Sequence, residues 1–409
     1  MRFGVVLASR WRWAVPEVPD RTRITIVGGG PAGSLLAYLL HLEGVESVIL
    51  ELRTKEHVLE RVRAGVIEHG SAEELRKAGL GERMDKDGFV HEGVRLAFGG
   101  RLLRVDFKDL LDKHVVIYGQ TELQKDLYDA IETAEITLID EANDLRLHDI
   151  EDESPGVTFT RHGQTHTLLC DFIAGCDGAH SVTRDYIPPS AGKTFERTYP
   201  FVWVGVLSET PPVSDEIIYA NHETGFALCS MRNENLSRYY VQGSAEDRLD
   251  DWPDDRFWET LIQRLPDSVS DRLVTGPSIE KLVTPLRSWV SEPMRRGKLF
   301  LAGDAAHVVP PTGAKGLNLA ISDVVYLAQA FADYYATGST DALDAYSDTA
   351  LSRVWQAVRF SWWMTTMMHR FPGVSDDFDR RMQLTELEYL ERSETARRSM
   401  AENYVGLPL

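Results

Sequence analysis

Residues 23–51 read RITIVGGGPAGSLLAYLLHLEGVESVILE, and the order of features in this stretch decides the fold. Arg23–Val27 is a β-branched run that reads as a buried strand. Gly28, Gly30 and Gly33 follow it as G-x-G-x-x-G, and Ser34–Leu42 then takes helical spacing. Gly44 and Val45 turn the chain into Ser47–Leu50, a second strand that ends at Glu51. The first glycine permits a tight turn, the second lets backbone approach a pyrophosphate, and the third lets the helix pack against the strand. A pyrophosphate would sit on the free N–H groups at the helix N-terminus, where the dipole favours anions. Glu51 lies eighteen residues beyond Gly33, a place suited to a ribose hydroxyl of an unphosphorylated adenosine ribose. A glycine triplet alone is a weak signal. With strand, helix and terminal acid around it, the stretch reads as a dinucleotide-binding unit.

Outward from this unit, 409 residues are enough for two or three packed units. A hydrophobic fraction of 43% with 26% charged residues is that of a globular chain. The net charge of −19 argues against a nucleic-acid surface, which needs a basic patch, and it requires a locally positive site for any anionic ligand. Cys170, Cys176 and Cys229 have neither zinc-type spacing nor the number for a disulfide framework, so no metal site and a reducing, cytoplasmic compartment are expected. No apolar run approaches the length of a membrane span. Phe3–Ala8 is followed at once by Arg10 and Arg12, a poor secretory signal. Residues 1–22, with Pro16 and Pro19, are expected to be a mobile extension.

Further along, Glu122–Ala134 is helical, and Phe172–Ala174 is a short strand running into Gly175-Cys176-Asp177-Gly178. Tyr199–Val241 reads as several strands with turns at Pro211-Pro212 and Asn221-His222, which predicts an antiparallel sheet. Lys298–Ala302 is another buried strand, followed by Gly303-Asp304, and a helix should run from Gly316 through Ala332. The expected architecture is α/β with an α+β part. A Rossmann-like domain would span 23–194, an antiparallel-sheet domain 195–308 with the returning strand at its end, and a helical region 309–409.

Cys176-Asp177-Gly178-Ala179-His180-Ser181-Val182-Thr183-Arg184 resembles the D-G motif of the group A flavoprotein aromatic hydroxylases, and Leu301-Ala302-Gly303-Asp304-Ala305-Ala306-His307 resembles their G-D motif. The resemblance extends from about Arg23 to Leu409. Its specific segments are Arg63–Val66, Tyr118–Glu122, Gly225–Ser230, Ser237–Gln242, Arg359–Trp363 and Ala401–Pro408. It implies non-covalent FAD, bound by Gly28, Gly30, Gly33, Glu51, Arg63, Gln120, Asp177, Arg238 and Asp304, with Asp304 on the ribityl chain. Pro310 and Pro311 must precede the next helix. Its first residues, Gly316, Leu317 and Asn318, would then face the isoalloxazine, where the dipole stabilises negative charge on reduced flavin. No second G-x-G-x-x-G exists for a nicotinamide coenzyme. The resemblance implies NADH or NADPH bound without its own Rossmann unit, near Arg63, His180, Arg184 and Arg287.

Within the family the likeness is to members that hydroxylate 4-hydroxybenzoate ortho to its phenol, using O₂. It implies Ser230, Arg232 and Tyr240 on the substrate carboxylate, an arginine fork being suited to it. Tyr219, Tyr404 and His91 would relay the phenol proton, with His91 at the solvent end and titrating near neutral pH. Thr312 and the Pro311 carbonyl would line the phenol end. By residue type alone both tyrosines read as half-buried packing residues and His91 as a satisfied loop histidine. A homodimer is implied in the same way, and a different para-substituted benzoate, such as 4-aminobenzoate, is the alternative substrate. The W-x-W-x-I-P segment of the superfamily's halogenases is absent. Three departures stand out: Leu52, Arg53 and His57 replace the usual Arg, Gln and Tyr; Ala179 replaces a phenylalanine; and Asn233–Leu236 is less basic than usual. The first bears on coenzyme choice and predicts that NADH serves at least comparably with NADPH.

Overall fold

The computed structural model describes residues 17–60, 65–373 and 376–409. Two large sheets organise it. The first has six strands in the order Arg295–Arg296, Leu299–Leu301, Phe172–Gly175, Ile24–Val27, Ser47–Leu50 and Thr137–Ile139, all parallel except the two-residue edge strand. The four strands from Leu299–Leu301 to Ser47–Leu50 are buried along their whole length, as a sheet covered on both faces requires. Helices Pro31–Leu42, Gln120–Thr133 and Gly316–Thr337 pack around the glycine loop and the sheet.

The second sheet has eight strands: His307–Val308, Ser278–Glu292, Lys193–Ser208, Leu236–Ser244, Gly225–Asn233, Ile218–His222, Gly93–Phe98 and Arg101–Asp106. It is antiparallel except where Ile218–His222 runs beside Gly93–Phe98. Side chains alternate between its faces. Val204, Ile218, Ala220, Ala227, Tyr239 and Val241 pack with Phe257, Trp258 and Leu261 of helix Asp254–Arg264. The other face meets the C-terminal helices Asp341–Met368, Asp376–Arg392 and Glu394–Val405.

Three expectations change. Residues 20–22 belong to the fold: the Thr22 and Leu169 backbones pair, Leu169 N–H donates to Asp20 O, and Arg21 meets Asp171 at 2.5 Å. Residues 1–16 lie outside the described residues. The expected border at 194/195 falls inside strand Lys193–Ser208. Moreover, Gly93–Phe98 and Arg101–Asp106, placed by sequence in the first domain, complete the second sheet. A hairpin of this kind buries its apolar side wherever a sheet edge is open, and sequence position does not say which edge that is.

Candidate active site

The three motifs, far apart in sequence, meet in the first sheet. Val27 pairs with Gly175, and Gly175 pairs with Leu301, so three adjacent parallel strands end side by side. From these ends emerge the glycine loop, the Asp177 loop and the Asp304 loop. The crevice outside the carboxyl ends of such strands is where open α/β sheets bind ligands. The glycines behave as their spacing requires. A Cβ on Gly28, at φ +104°, would lie 2.4 Å from Cys176 O, and one on Gly33 would lie 1.9 Å from Gly28 O. A Cβ on Gly30 would meet nothing within 4 Å, which leaves open space at the N-terminus of helix Pro31–Leu42. No side chain caps that terminus. Its N–H groups are thus available to a pyrophosphate. Asp304 is half-buried and has no hydrogen-bond or ion-pair partner among the described residues, a carboxylate ready for sugar hydroxyls. The residues present fit FAD.

Other predicted cofactor residues hold the cradle itself. Glu51 is buried and accepts from Gly29 N–H at 2.6 Å and Arg53 N–H at 2.9 Å, so it fixes the glycine loop. Asp177 accepts from Ser181 Oγ, Thr183 Oγ1, Val182 N–H and Thr183 N–H at 2.6–3.0 Å, and its carboxylate organises its own loop. Arg184 donates to Ala179 O and Ala305 O, both at 3.2 Å, and stacks over Trp289, tying the Asp177 loop to the Asp304 loop. Asn318 is turned inward onto Glu68 N–H and Val66 O. Gly316 has open space where a Cβ would lie, and Leu317 and Gln120 are half-buried. His180 is exposed and Arg287 is half-buried. Arg63 lies outside the described residues.

The predicted substrate residues share one face of the second sheet. Tyr219 and Tyr240 both pair with Leu228, from opposite sides, and Ser230 pairs with Arg238. Tyr219, Leu228, Tyr240, Ser230 and Arg238 therefore point the same way. Gly205 opposes Tyr240, and a Cβ there would lie 2.6 Å from the Tyr240 ring, so only glycine leaves that ring its place. Arg232 donates to Ser230 Oγ at 3.2 Å, while its Nε is buried without a partner. Burial, with Arg238 nearby, lowers the Arg232 pKa. Arg238 donates to Glu280 at 2.6 Å, and its Nε and Nη1 are also buried without partners. Buried guanidinium N–H groups without acceptors are costly. Together they form a positive end that an anion would satisfy.

At the other end Tyr219 Oη lies 3.1 Å from Tyr404 Oη, both rings being buried. Burial pushes the Tyr219 pKa up to about 12 and that of Tyr404 well above its usual value. Thr312 is buried, with Oγ1 3.0 Å from Thr365 Oγ1, and Pro311 is exposed in the turn before it. His91 departs from its expected place. It is buried, not at a solvent end, its Nε2 has no partner, and burial pushes its pKa down to about 4 despite Glu216 and Asp215 nearby. That direction is away from the neutral range expected of it, and no direct hydrogen bond joins it to Tyr404.

The FAD binding domain family matches residues 21–361. The p-hydroxybenzoate hydroxylase of Acinetobacter baylyi is 50% identical over 389 residues, which is 95% of this chain and 96% of that one. This chain belongs to the FAD-dependent aromatic hydroxylases. The hydroxylase uses FAD, with NAD(P)H as co-substrate. Two solved structures share its fold. The p-nitrophenol 4-monooxygenase of Pseudomonas putida has a TM-score of 0.81 at 19% identity, covering 96% of this chain and 100% of that one. A flavin-dependent halogenase has a TM-score of 0.75 at 21% identity, covering 93% and 72%. Among the described residues no helix is long and apolar enough to cross a membrane.

Several residues of the hydroxylase's site carry no local sequence signal. Gln124 and Tyr128, a turn apart on helix Gln120–Thr133, both donate to Gly29 O from below the glycine loop. Asp323 accepts from Gly303 N–H at 2.8 Å and pairs with buried His307 at 2.6 Å, setting the turn that presents Asp304. Burial alone would lower the His307 pKa, but Asp323 raises it. Lys315, buried at the start of helix Gly316–Thr337, donates to Glu68 and to the carbonyls of Asn403 and Tyr404. It pins the helix carrying Tyr404 to the helix expected to face the flavin. Lys315 and Glu68, 247 residues apart, could be found as partners only after folding.

Proposed function

We propose that the enzyme hydroxylates 4-hydroxybenzoate to 3,4-dihydroxybenzoate. The observation that carries this reading is the polarity of one buried sheet face. Arg232 and Arg238 hold unpartnered N–H groups at one end, and the Tyr219–Tyr404 hydroxyl pair stands at the other. A para-substituted benzoate has a matching carboxylate and phenol on opposite ends of a flat ring. The 50% identical relative named for this substrate supports the same assignment.

Bound FAD supplies the redox chemistry, taking reducing equivalents from NAD(P)H and delivering oxygen from O₂ to the ring. Arg232, Ser230 and Tyr240 hold the carboxylate and fix the register of the ring. The substrate phenol, with an unperturbed pKa of about 10, is a modest nucleophile until its proton leaves. Tyr219 takes this proton as it hands its own to Tyr404, which releases one in turn to solvent, so that Tyr219 ends protonated and donates to the phenolate. The Pro311 carbonyl and Thr312 bound the phenol end. Burial of this face excludes water, which protects the oxygen transfer. Arg63, His180, Arg184 and Arg287 are assigned to the coenzyme. The active form is a homodimer in the cytoplasm, a reading supported by the exposed apolar face of helix Asp376–Arg392 and by three buried free cysteines.

The test is O₂ uptake and NAD(P)H oxidation with a panel of benzoates and identification of the product, in the parent and in Arg232→Ala. The parent should form 3,4-dihydroxybenzoate. The variant should keep its FAD and lose roughly 2–5 kcal/mol of 4-hydroxybenzoate binding. Preference for 4-aminobenzoate, or unaltered affinity in the variant, would overturn the assignment.

A further inference from the structure

His369 lies just beyond the long helix Asp341–Met368 and is completely buried, yet nothing in the chemistry above uses it. Both of its ring nitrogens are engaged. Trp203 Nε1 lies 2.7 Å from His369 Nε2, and His369 Nδ1 lies 3.0 Å from Thr365 O. An indole N–H can only donate, so Nε2 must be the acceptor and Nδ1 must carry the hydrogen. One tautomer alone satisfies both bonds. The ring is also clamped by faces. It stacks on Phe226 at 4.1 Å and on Phe201 at 4.7 Å, with interplanar angles of 27° and 6°.

These contacts lead directly to the substrate face. Trp203 packs against Tyr240 at 4.9 Å and stacks on Phe226 at 5.1 Å. Phe226 in turn meets Tyr219 at 6.2 Å. From its other nitrogen, the imidazole holds Thr365, whose hydroxyl is the partner of Thr312. Asn221 and Gln242 close the same junction by donating to the carbonyls of Met367 and Arg370. We propose that His369 is a positioning residue for hydroxylation: through Trp203 and Thr365 it locks the long helix onto the substrate sheet and sets the spacing between Tyr219, Tyr240 and Thr312. Burial pushes its pKa down to about 3, in keeping with a neutral ring held in this one tautomer. The inference rests on reading this face as the substrate site.

His369→Phe keeps a ring between Phe201 and Phe226 but deletes both hydrogen bonds. It leaves the Trp203 N–H buried without a partner. Trp203→Phe/His369→Phe removes that orphan, and Thr365→Val removes the hydroxyl that meets Thr312 Oγ1 and Ser361 O. The measurements are the KM for 4-hydroxybenzoate, the ratio of product formed to NAD(P)H consumed, FAD content and Tm. In His369→Phe the KM should rise about tenfold and the coupling ratio should fall at least about twofold, because small misplacements of a reacting pair are costly. FAD content should hold. The double variant should recover Tm without recovering coupling, which separates placement from mere stability. Thr365→Val should uncouple in the same direction, and Trp203→Phe, which cuts the Nε1–Nε2 bond from the sheet side, carries the test if His369→Phe does not fold. Parent-like KM and coupling in His369→Phe, or in Trp203→Phe should His369→Phe fail to fold, would overturn the role of His369 while leaving the substrate assignment intact. Coupling that returns together with Tm in the double variant would do the same. A parent that does not hydroxylate 4-hydroxybenzoate would overturn both.

Discussion

At the scale of single residues, the hydroxyl pair of Tyr219 and Tyr404 is the most exacting feature of the site. Tyr219→Phe keeps the ring and its contact with Phe226 and deletes one oxygen. The variant should bind FAD and 4-hydroxybenzoate, and it should still oxidise NAD(P)H. Product should fall to a small fraction of NAD(P)H consumed, with H₂O₂ accounting for the rest. A tyrosine that only packed would leave coupling near the parent's. His91 makes a different prediction, because its pKa is depressed to about 4. Below the ordinary value of 6.5, the unfolded chain takes up a proton on this imidazole, whereas the folded chain does not until about 4. The folded state is therefore favoured above 6.5, and this contribution is lost as pH falls through the window. At pH 5 the loss is on the order of 1–3 kcal/mol. Urea unfolding of parent and His91→Asn at pH 7 and pH 5 should show the parent losing more stability than the variant by about that amount. Equal losses would mean that His91 is hydrated in solution.

At the scale of elements, we assign coenzyme choice to the turn between strand Ser47–Leu50 and the short helix Lys55–Leu59. Glu51 anchors this turn by accepting from Arg53 N–H, and Thr54 caps the helix by accepting from His57 N–H. The side chains of Leu52, Arg53 and His57 are thereby left exposed on one short segment. Leu52 offers a phosphate nothing, and Arg53 offers it one fork. NADH should therefore be used at least as well as NADPH, as judged by kcat/KM for the two coenzymes. Leu52→Arg should shift the ratio toward NADPH, since each added cation near a phosphate favours it. A strong NADPH preference in the parent would place the discriminating contacts elsewhere.

At the scale of the whole molecule, helix Asp376–Arg392 is amphipathic in an unusual sense. Leu387 and Leu390 are buried against the molecule, while Phe378, Met382 and Tyr389 on the opposite side are 64%, 46% and 55% exposed. Positions 378, 382 and 389 fall within about 40° of one another around a helix. Trp362 is exposed at 42% on the preceding long helix. An apolar stripe of this kind marks an interface, and a second copy of the chain is the proposed occupant. Sedimentation of the parent should give a dimer. Phe378→Glu/Tyr389→Glu should give a monomer that keeps its FAD, and an unchanged dimer would move the interface to another face.

Much of this protein was determined by local sequence. The strand, glycine triplet and helix at 24–42 are fixed by short-range patterning and by the conformational freedom of glycine. The motifs at 177 and 304 are equally local, so the FAD cradle was legible before any contact was known. The helix at 316 and the antiparallel character of 199–241 follow from prolines and from alternation. Tertiary structure decided the rest, because those facts depend on partners far apart in the chain. It assigned hairpin 93–106 to the substrate sheet, where an open edge was available. It buried His91, which lowers the pKa that the residue type suggests, since desolvation outweighs its nearby carboxylates. It also gave Asn318 and Asp177 bracing roles, and it assembled Glu68 with Lys315 and Trp203 with His369. A side chain's chemistry is set by its type, but its protonation and its partners are set by the dielectric and the neighbours that only the folded chain supplies.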